Sequence, residues 1–328
     1  MALLLTAGGV VLLLLAGTAL VRGASAIASR YGVPPMVVGL TVVAFGTSSP
    51  ELVVNIVGAL RGQTDLAFGN IAGSNMANLG LVLGAAALIH PMTIQGQLVR
   101  RELPLLMLGT TVLLVLILDL PLLGQPAVLT RADGLVLLLL FSVFVYITVK
   151  DFVDQKYDPL MADIRDIEGK LPPSLVRGSS AQWAYIIFGV AGLTLGGHMA
   201  ITGGSTLAET MGVPPVIIGM VVIGVGTSLP ELVTSIIAAL NDESDLCVGN
   251  VVGSNLFNAL VVLPVSTLFT PVPVPAGGVM DILVSLVLSV LLLPIFFFGK
   301  ARMNRAAGLA FIVVYLGYMG FRSFSSSM

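Results

Sequence analysis

Two glutamates occupy matched positions in segments that are otherwise apolar. Glu51 ends the run GTSSPE at residues 46–51, and Glu231 ends the run GTSLPE at residues 226–231. Each lies near the middle of an apolar stretch that is long enough to cross a bilayer, where an ionisable side chain is costly and indicates a functional site. If the fold brings the two carboxylates together, their charge balances one divalent cation.

The residues around each glutamate predict a broken helix that is rich in oxygen ligands. A proline inside a helix has no N–H and clashes with the carbonyl four residues earlier, so Pro50 should free the carbonyl of Gly46. Pro230 should do the same for Gly226. Glycine permits the dihedral angles of such a break, which must face protein or a water-filled cavity. The neighbouring hydroxyls belong to Thr47, Ser48, Thr227 and Ser228.

These carbonyls, hydroxyls and carboxylates together make an all-oxygen set of ligands. Hard cations prefer such ligands, and Ca²⁺ takes about 6–8 oxygens at about 2.3–2.6 Å. A simple proline kink, with the hydroxyls bonded to local carbonyls, would explain the serines and threonines. It would leave the two intramembrane glutamates unexplained, so we expect a cation site.

A second pair of matched segments carries amides and hydroxyls at helical spacing. The segments are GNIAGSNMAN at 69–78 and GNVVGSNLFN at 249–258. Their Asn, Ser and Asn at i, i+4 and i+8 share one helix face, and their GxxxG pairs permit close helix approach. We expect four of these side chains to contact the ion: Ser74, Asn78, Ser254 and Asn258. Asn75 and Asn255 lie about 100° off that face and are expected to form hydrogen bonds between helices.

All four segments belong to one internal repeat. Residues 32–84 and 212–264 align without a gap, and about half of the 53 aligned positions are identical. Two copies of a broken, glutamate-bearing span are typical of secondary transporters with internal repeats.

The composition predicts an integral membrane protein. Of the 328 residues, 56% are hydrophobic and only 10% are charged, with a mean hydropathy of +1.04, whereas soluble domains carry about 25% charged residues. The net charge of −2 indicates no nucleic-acid partner. No nucleophile–base pair and no His or Cys ligand cluster lies in the apolar stretches, so neither an enzyme nor a bound cofactor is expected. Protein partners cannot be inferred from the sequence.

A hydropathy window of about 19 residues predicts an all-α membrane protein with ten transmembrane helices. Residues 1–149 and 182–328 would each hold five of these spans, separated by the polar linker 150–181. The predicted spans are 2–21, 34–60, 66–89, 103–120, 126–149, 182–206, 214–240, 246–269, 279–298 and 306–321.

The basic residues predict the orientation in the membrane. With both termini outside the cell, 12 of the 15 lysines and arginines face the cytoplasm, as the positive-inside rule requires. Because each half has five spans, the second repeat would then be inverted relative to the first. The expected location is a prokaryotic plasma or inner membrane, with the linker cytoplasmic. The basic residues assigned to the cytoplasmic side are Arg22, Arg30, Arg100, Arg101, Lys150, Lys156, Arg165, Lys170, Arg177, Lys300, Arg302 and Arg305.

The paired G-T-S-x-P-E and G-N-x-x-G-S-N segments resemble the α-1 and α-2 repeats of the calcium:cation antiporter superfamily. The similarity is greatest to prokaryotic sodium/calcium exchangers and their potassium-dependent relatives. The resemblance implies a ten-helix inverted-repeat fold that exchanges Na⁺ for Ca²⁺ by alternating access. It implies Ca²⁺ ligands at Glu51, Glu231 and the carbonyls of Thr47 and Thr227. It implies Na⁺ ligands at Ser48, Ser74, Ser228, Ser254 and the carbonyls of Ala44 and Gly224.

One position departs from the pattern of this superfamily. Many exchangers carry aspartate at the end of the second G-S-N-x-x-[DN] segment, where this chain has Asn258. The cluster then holds two carboxylates rather than three, which leaves the coupling ratio, the cation preference and K⁺ co-transport open. The proton-coupled branch usually carries an asparagine–glutamate pattern in place of G-T-S-x-P-E, which argues against H⁺/Ca²⁺ exchange.

Three alternatives to Na⁺/Ca²⁺ exchange remain at this point. Oxygen ligands suit other divalent ions such as Mn²⁺ as well as Ca²⁺, and protons could replace Na⁺ as the coupling ion. A cation channel is an alternative of a different class. Channels build a continuous filter between subunits or repeats, so two inverted repeats with glutamates at the midplane favour alternating access instead.

Overall fold

A computed structural model describes residues 1–62, 65–93, 98–118, 124, 127–156, 179–212, 226–298 and 301–326. The first half contains α1 (Ala2–Tyr31), α2 (Pro35–Val38, π-helical Gly39–Val43 and Ala44–Thr47), α3 (Ser49–Leu60), α4 (Asp65–Ala77, π-helical Asn78–Val82 and Leu83–Ile89), α5 (π-helical Leu98–Glu102 and Leu103–Leu116) and α6 (Arg131–Lys156). The second half contains α7 (Ser179–Thr210), α8 (Leu229–Leu240), α9 (Ser244–Phe257, π-helical Asn258–Val262 and Leu263–Phe269), α10 (Gly278–Phe298) and α11 (Arg305–Ser326). Four two-residue strands complete the described structure: β1 (Met92–Thr93), β2 (Val128–Leu129), β3 (Val272–Pro273) and β4 (Arg302–Met303).

The described helices agree with an integral membrane protein. Seven are long and apolar enough to cross a bilayer, and the bent pair α2–α3 makes an eighth candidate. The predicted span 103–120 contains the shorter helix of α5, and only the second half of the span 214–240 is described. The count of ten therefore stays a prediction.

Two predicted boundaries differ from the structure. Helix α1 continues to Tyr31, beyond the predicted end of its span at residue 21, and stops where Gly32 adopts the left-handed conformation at φ 62°, which glycine tolerates as a helix C-cap. The predicted linker 150–181 is helical at both ends, because α6 continues to Lys156 and α7 begins at Ser179. Residues 157–178 lie outside the described part of the chain.

The proline in each copy begins a helix instead of kinking one. Ser48 has φ −87° and ψ 5°, Ser228 has φ −88° and ψ 8°, and a new helix begins immediately after each serine. Pro50 and Pro230 thus lie in the first turn, where a missing N–H costs no hydrogen bond. In the first copy the axes of α2 and α3 differ by 43°.

Matched elements of the two halves pack against each other. The π-helical segments of α4 and α9 begin at Asn78 and Asn258, which occupy the same position in the two copies of the repeat. The strands β1 and β3 are also equivalent in the two copies, and each pairs with a strand of the other half: β1 with β4, and β3 with β2. The halves therefore interlock, and one core of buried residues contains side chains from both.

The contacts between helix ends define two opposite faces of the molecule. At the first face, His90 follows α4 and its Nε2 lies 3.0 Å from Oδ1 of Asp242, which precedes α9. At the second face, Arg131 contacts the carbonyl of Phe269 at the far end of α9. The end of α4 thus lies beside the start of α9, so these equivalent helices run antiparallel. Inverted repeats require this arrangement, which supports the predicted inversion.

Close packing of α9 on α2 depends on glycine. A Cβ atom on Gly249 would lie 2.6 Å from the carbonyl oxygen of Met36, and one on Gly253 would lie 2.6 Å from that of Leu40. The close approach predicted from this GxxxG pair is confirmed. The matching Gly69 and Gly73 meet no described atom within 4 Å.

Candidate functional site

Glu51 and Glu231 lie in the interior of the helix bundle. Both side chains are fully buried, and each lies in the first turn of its helix, α3 or α8, directly after the break. The helix dipole favours a carboxylate at that position. The two breaks adjoin, because Ser48, three residues before Glu51, contacts the carboxylate of Glu231. The breaks therefore place two acidic groups from different halves of the chain in one buried site.

The break of the first copy contacts the second copy directly. Oγ of Ser48 donates a hydrogen bond of 3.0 Å to Oε1 of Glu231. Oγ1 of Thr47 lies 3.1 Å from Oδ1 of Asn250 and 3.3 Å from Oγ of Ser254, both on α9. Residues from opposite halves of the sequence thus form one polar cluster.

The carbonyls near the first break already have partners. The carbonyl oxygen of Ala44 accepts the backbone N–H of Ser48 at 3.0 Å and the hydroxyl of Thr47 at 3.3 Å. The carbonyl oxygen of Gly46 accepts the hydroxyl of Ser49 at 2.7 Å. Pro50 therefore leaves a carbonyl that a neighbouring side chain satisfies. The second copy has Leu229 in place of Ser49 and cannot form this bond.

The second pair of segments lies beside the glutamates. Ser74 on α4 neighbours the Glu51 carboxyl, and Ser254 on α9 neighbours the Glu231 carboxyl. Asn78 and Asn258 are fully buried at the start of their π-helical segments, and π-helical turns inside α-helices are frequent at functional sites. The structure therefore places the two serines beside the acidic pair and buries the two asparagines one helical turn farther along α4 and α9.

Asn75 and Asn255 form the interhelical hydrogen bonds that their spacing predicts. Nδ2 of each donates to the backbone carbonyl of the other, at 3.3 and 3.0 Å. Oδ1 of Asn255 also accepts Nδ2 of Asn78 at 3.1 Å. These bonds hold α4 against α9 and fix one of the predicted ion ligands.

Many buried polar atoms of this cluster have no hydrogen-bond partner among the described residues. They include both oxygens of Glu51, Oε2 of Glu231, Oγ of Ser74 and Ser228, Oδ1 of Asn78, and both amide atoms of Asn258. A buried polar atom without a partner is costly, and nearly all such atoms are satisfied in native proteins. All but one of these atoms are oxygens, so a hard cation would satisfy them.

One predicted ligand is less buried than the others, and one lies outside the described residues. Thr227 is only half-buried. Gly224 falls outside the described residues, so its carbonyl stays a prediction. Within the described chain no group of three or more His, Cys, Asp or Glu side chains is close enough to hold a metal.

Sequence reasoning missed polar residues one helical turn beyond each glutamate. Oδ1 of Asn55 accepts Nδ2 of Asn70 at 2.8 Å, and Oγ of Ser235 accepts Nδ2 of Asn250 at 3.0 Å. Thr234 is also fully buried, and its hydroxyl has no described partner. Spacing of three or four residues from each glutamate could have identified them, because such positions share a helix face.

Comparison with known proteins agrees with this geometry. A family model described as sodium/calcium exchanger protein matches residues 1–150 and 181–324. The putative antiporter CaxA of Alkalimonas amylolytica is 34% identical over 313 residues, which cover 94% of this chain and 95% of the relative. The sodium/calcium exchanger MaX1 of Methanosarcina acetivorans is 26% identical, with 95% of each chain covered.

A solved structure extends the match to three dimensions. The structure of the sodium-calcium exchanger NCX_Mj soaked with Na⁺ and Ca²⁺ is similar at a TM-score of 0.80 and 26% identity, with 97% of each chain covered. The resemblance inferred from the paired motifs is confirmed. The chain therefore belongs to the sodium/calcium exchanger protein family.

Proposed function

We propose that this protein exchanges Na⁺ for Ca²⁺ across the membrane, and that Ca²⁺ binds between Glu51 and Glu231. The observation that carries the proposal is the meeting of these two buried carboxylates, one from each half, amid polar oxygens that lack hydrogen-bond partners in the described structure. A buried charge must be paired, and a divalent cation neutralises both carboxylates at once.

Competition for shared ligands would couple the two ions. Ser48 contacts Glu231 directly, and Ser74 neighbours Glu51. Na⁺ held by these serines, with Ser228, Ser254 and the carbonyls of Ala44 and Gly224, would use the same carboxylates as Ca²⁺. Occupancy by one ion then excludes the other. Only a site loaded with an ion would change its access from one side of the membrane to the other.

Alternating access fits the arrangement of the two halves. The acidic pair lies where the equivalent helices α3 and α8 begin, and α4 and α9 run antiparallel beside it. Rocking between inverted repeats opens such a site to one side of the membrane at a time. On this proposal residues 1–149 and 182–328 are the two repeats, both termini lie outside, and the linker is cytoplasmic in a prokaryotic cell membrane.

Uptake of radioactive Ca²⁺ into proteoliposomes tests the proposal. The wild-type protein should take up Ca²⁺ when the vesicles are loaded with Na⁺ and diluted into Na⁺-free buffer. Vesicles without Na⁺ and vesicles with only a pH gradient are the controls. Uptake driven only by the pH gradient would replace Na⁺ with H⁺ as the coupling ion. Ca²⁺ flux that needs no counter-ion and does not saturate would instead indicate a channel.

A further inference from the structure

An open cavity of about 440 Å³ lies at the first face, remote from the acidic pair. It is lined by Pro91, Arg302, Asn304, Arg305 and Ala306. These residues come from the strand pair β1–β4 and the beginning of α11. We propose that this cavity binds the phosphate headgroup of an anionic phospholipid.

Two arginines supply the charge for such a ligand. Arg302 and Arg305 are both exposed, and within the described chain neither forms an ion pair or a hydrogen bond through its side chain. Guanidinium groups bind phosphate oxygens through paired N–H donors. The backbone between them is fixed, because Thr93 pairs with Arg302 in the strand ladder and Oδ1 of Asn304 accepts the N–H of Ala307 at 2.9 Å.

The equivalent corner of the other half keeps one of the two arginines but engages it with the protein. There β2 pairs with β3, Val128 takes the place of Arg302, and Arg131 takes the place of Arg305. Arg131 lies within 3.5 Å of the carbonyl of Phe269, and Asp133 accepts the hydroxyl of Thr130. That corner is therefore occupied and carries an acid, whereas its counterpart at β4 presents two arginines in a cavity.

Apolar surface continues directly from the cavity along α11. Leu309 and Val313 follow Arg305 at intervals of four residues, so they share its helix face, and both are exposed. Leu88 at the end of α4 is also exposed and lies beside α11, since a Cβ atom on Gly308 would be 2.9 Å from its backbone nitrogen. A cavity that holds two arginines and adjoins these exposed apolar side chains suits an amphipathic lipid better than free phosphate.

The face that holds the cavity is the one predicted to be cytoplasmic. Pro91 of the cavity directly follows His90, whose ring pairs with Asp242 at the same face. That contact engages the carboxylate of Asp242. The cytoplasmic leaflet is rich in anionic lipids, which basic clusters at the membrane surface attract. Charge, shape and predicted sidedness thus agree on one ligand class.

Lipid binding to the purified full-length protein tests this inference. Native mass spectrometry and thermal unfolding in detergent would be measured with phosphatidylglycerol, phosphatidylcholine and inorganic phosphate. Phosphatidylglycerol should bind and raise the unfolding midpoint, and phosphatidylcholine should do neither. The double variant Arg302→Gln with Arg305→Gln should bind phosphatidylglycerol roughly 10- to 30-fold more weakly. The double variant Arg61→Gln with Arg131→Gln makes the same change of net charge away from the cavity and should bind as the wild type does.

Two outcomes would overturn the inference. Equal phosphatidylglycerol binding by the wild type and the Arg302/Arg305 double variant would show that the cavity is not the site. An equal stabilisation by inorganic phosphate would show an anion site without lipid preference. If the double variant does not fold, the single variants Arg302→Gln and Arg305→Gln decide, and each should weaken binding by itself. None of these measurements depends on the transported ion.

Discussion

Asn75 and Asn255 form a reciprocal pair at the centre of the molecule, in which the side-chain amide of each donates to the backbone carbonyl of the other at 3.3 and 3.0 Å. The two residues occupy the same position in the two copies of the repeat. A contact in which each partner makes the same bond to the other is the signature of a two-fold relationship. The pair therefore marks where the two halves meet, next to the predicted cation ligands.

Removing either amide should destabilise the protein, and Asn255 should matter more. Asn255→Ala loses the bond to Asn75 and also the acceptor for Asn78, so we expect it to cost about 1–3 kcal/mol more than the loss of one neutral bond. Asn75→Ala should cost about 1 kcal/mol. Thermal unfolding in detergent would measure both, with Asn241→Ala at the exposed end of α8 as the control. Equal losses for Asn75→Ala and Asn255→Ala would contradict the additional role of Asn255.

Replacing either glutamate should abolish Ca²⁺ transport. Glu51→Gln or Glu231→Gln leaves a single carboxylate in the site. One carboxylate balances the charge of a monovalent cation but only half that of a divalent cation. The measurement is Na⁺-driven Ca²⁺ uptake in proteoliposomes. Glu209→Gln, at the exposed end of α7, removes an acid outside the site and should transport normally. Uptake at the wild-type rate in either site variant would refute the proposed position of Ca²⁺.

The two break serines should differ in their effect on stability. Ser48 donates to Glu231, whereas Ser228 has no described hydrogen-bond partner. In the absence of Na⁺ and Ca²⁺, Ser48→Ala should therefore cost about 1.5–3 kcal/mol, the range for a bond to a charged group. Ser228→Ala should be nearly neutral under these conditions and should weaken the response to Na⁺. Unfolding midpoints with and without NaCl would test this, and indistinguishable variants would argue against the asymmetry.

Adding a third carboxylate should change ion coupling. Asn258 is fully buried, and neither of its amide atoms has a described partner. In Asn258→Asp the new carboxyl must be protonated or balanced by an additional cation. The transport rate should therefore become dependent on pH, or transport should require a different Na⁺ concentration. Ca²⁺ uptake across a pH series at several Na⁺ gradients is the measurement, with Asn241→Asp at the exposed end of α8 as a control that adds the same charge outside the cluster. A pH profile and selectivity identical to those of the wild type would exclude Asn258 from coupling.

Helix contact at Gly249 should not tolerate a larger side chain. Gly249→Val would force atoms into the 2.6 Å gap to the Met36 carbonyl, and overpacking of this kind costs about 1–3 kcal/mol. Gly317→Val in α11, where a Cβ atom meets no described neighbour within 4 Å, is the matched control. Unfolding in detergent should separate the two variants, and similar midpoints would contradict the tight α2–α9 contact.

Much of the site followed from local patterns. The position of Glu51 after Pro50 predicts a break with a buried acid, and the spacing of Asn70, Ser74 and Asn78 predicts one polar helix face. The assignment of Asn75 to a hydrogen bond between helices also followed from its angle on the helix. These features depend on residues within a few positions of one another, where helix geometry alone determines the relationship.

Only the tertiary structure could show which residues meet across the repeat. Ser48 could have faced either glutamate, and the structure pairs it with Glu231 in the other half. The carbonyl of Gly46 was expected to be free, yet the adjacent Ser49 hydroxyl occupies it, because a rotamer choice cannot be read from spacing. Likewise, the cavity between Arg302 and Arg305 exists because β4 pairs with β1 from the other half. The repeated sequence therefore determined the apolar spans, their breaks and the ligand types, since these are local, whereas long-range packing decided which oxygens share one site.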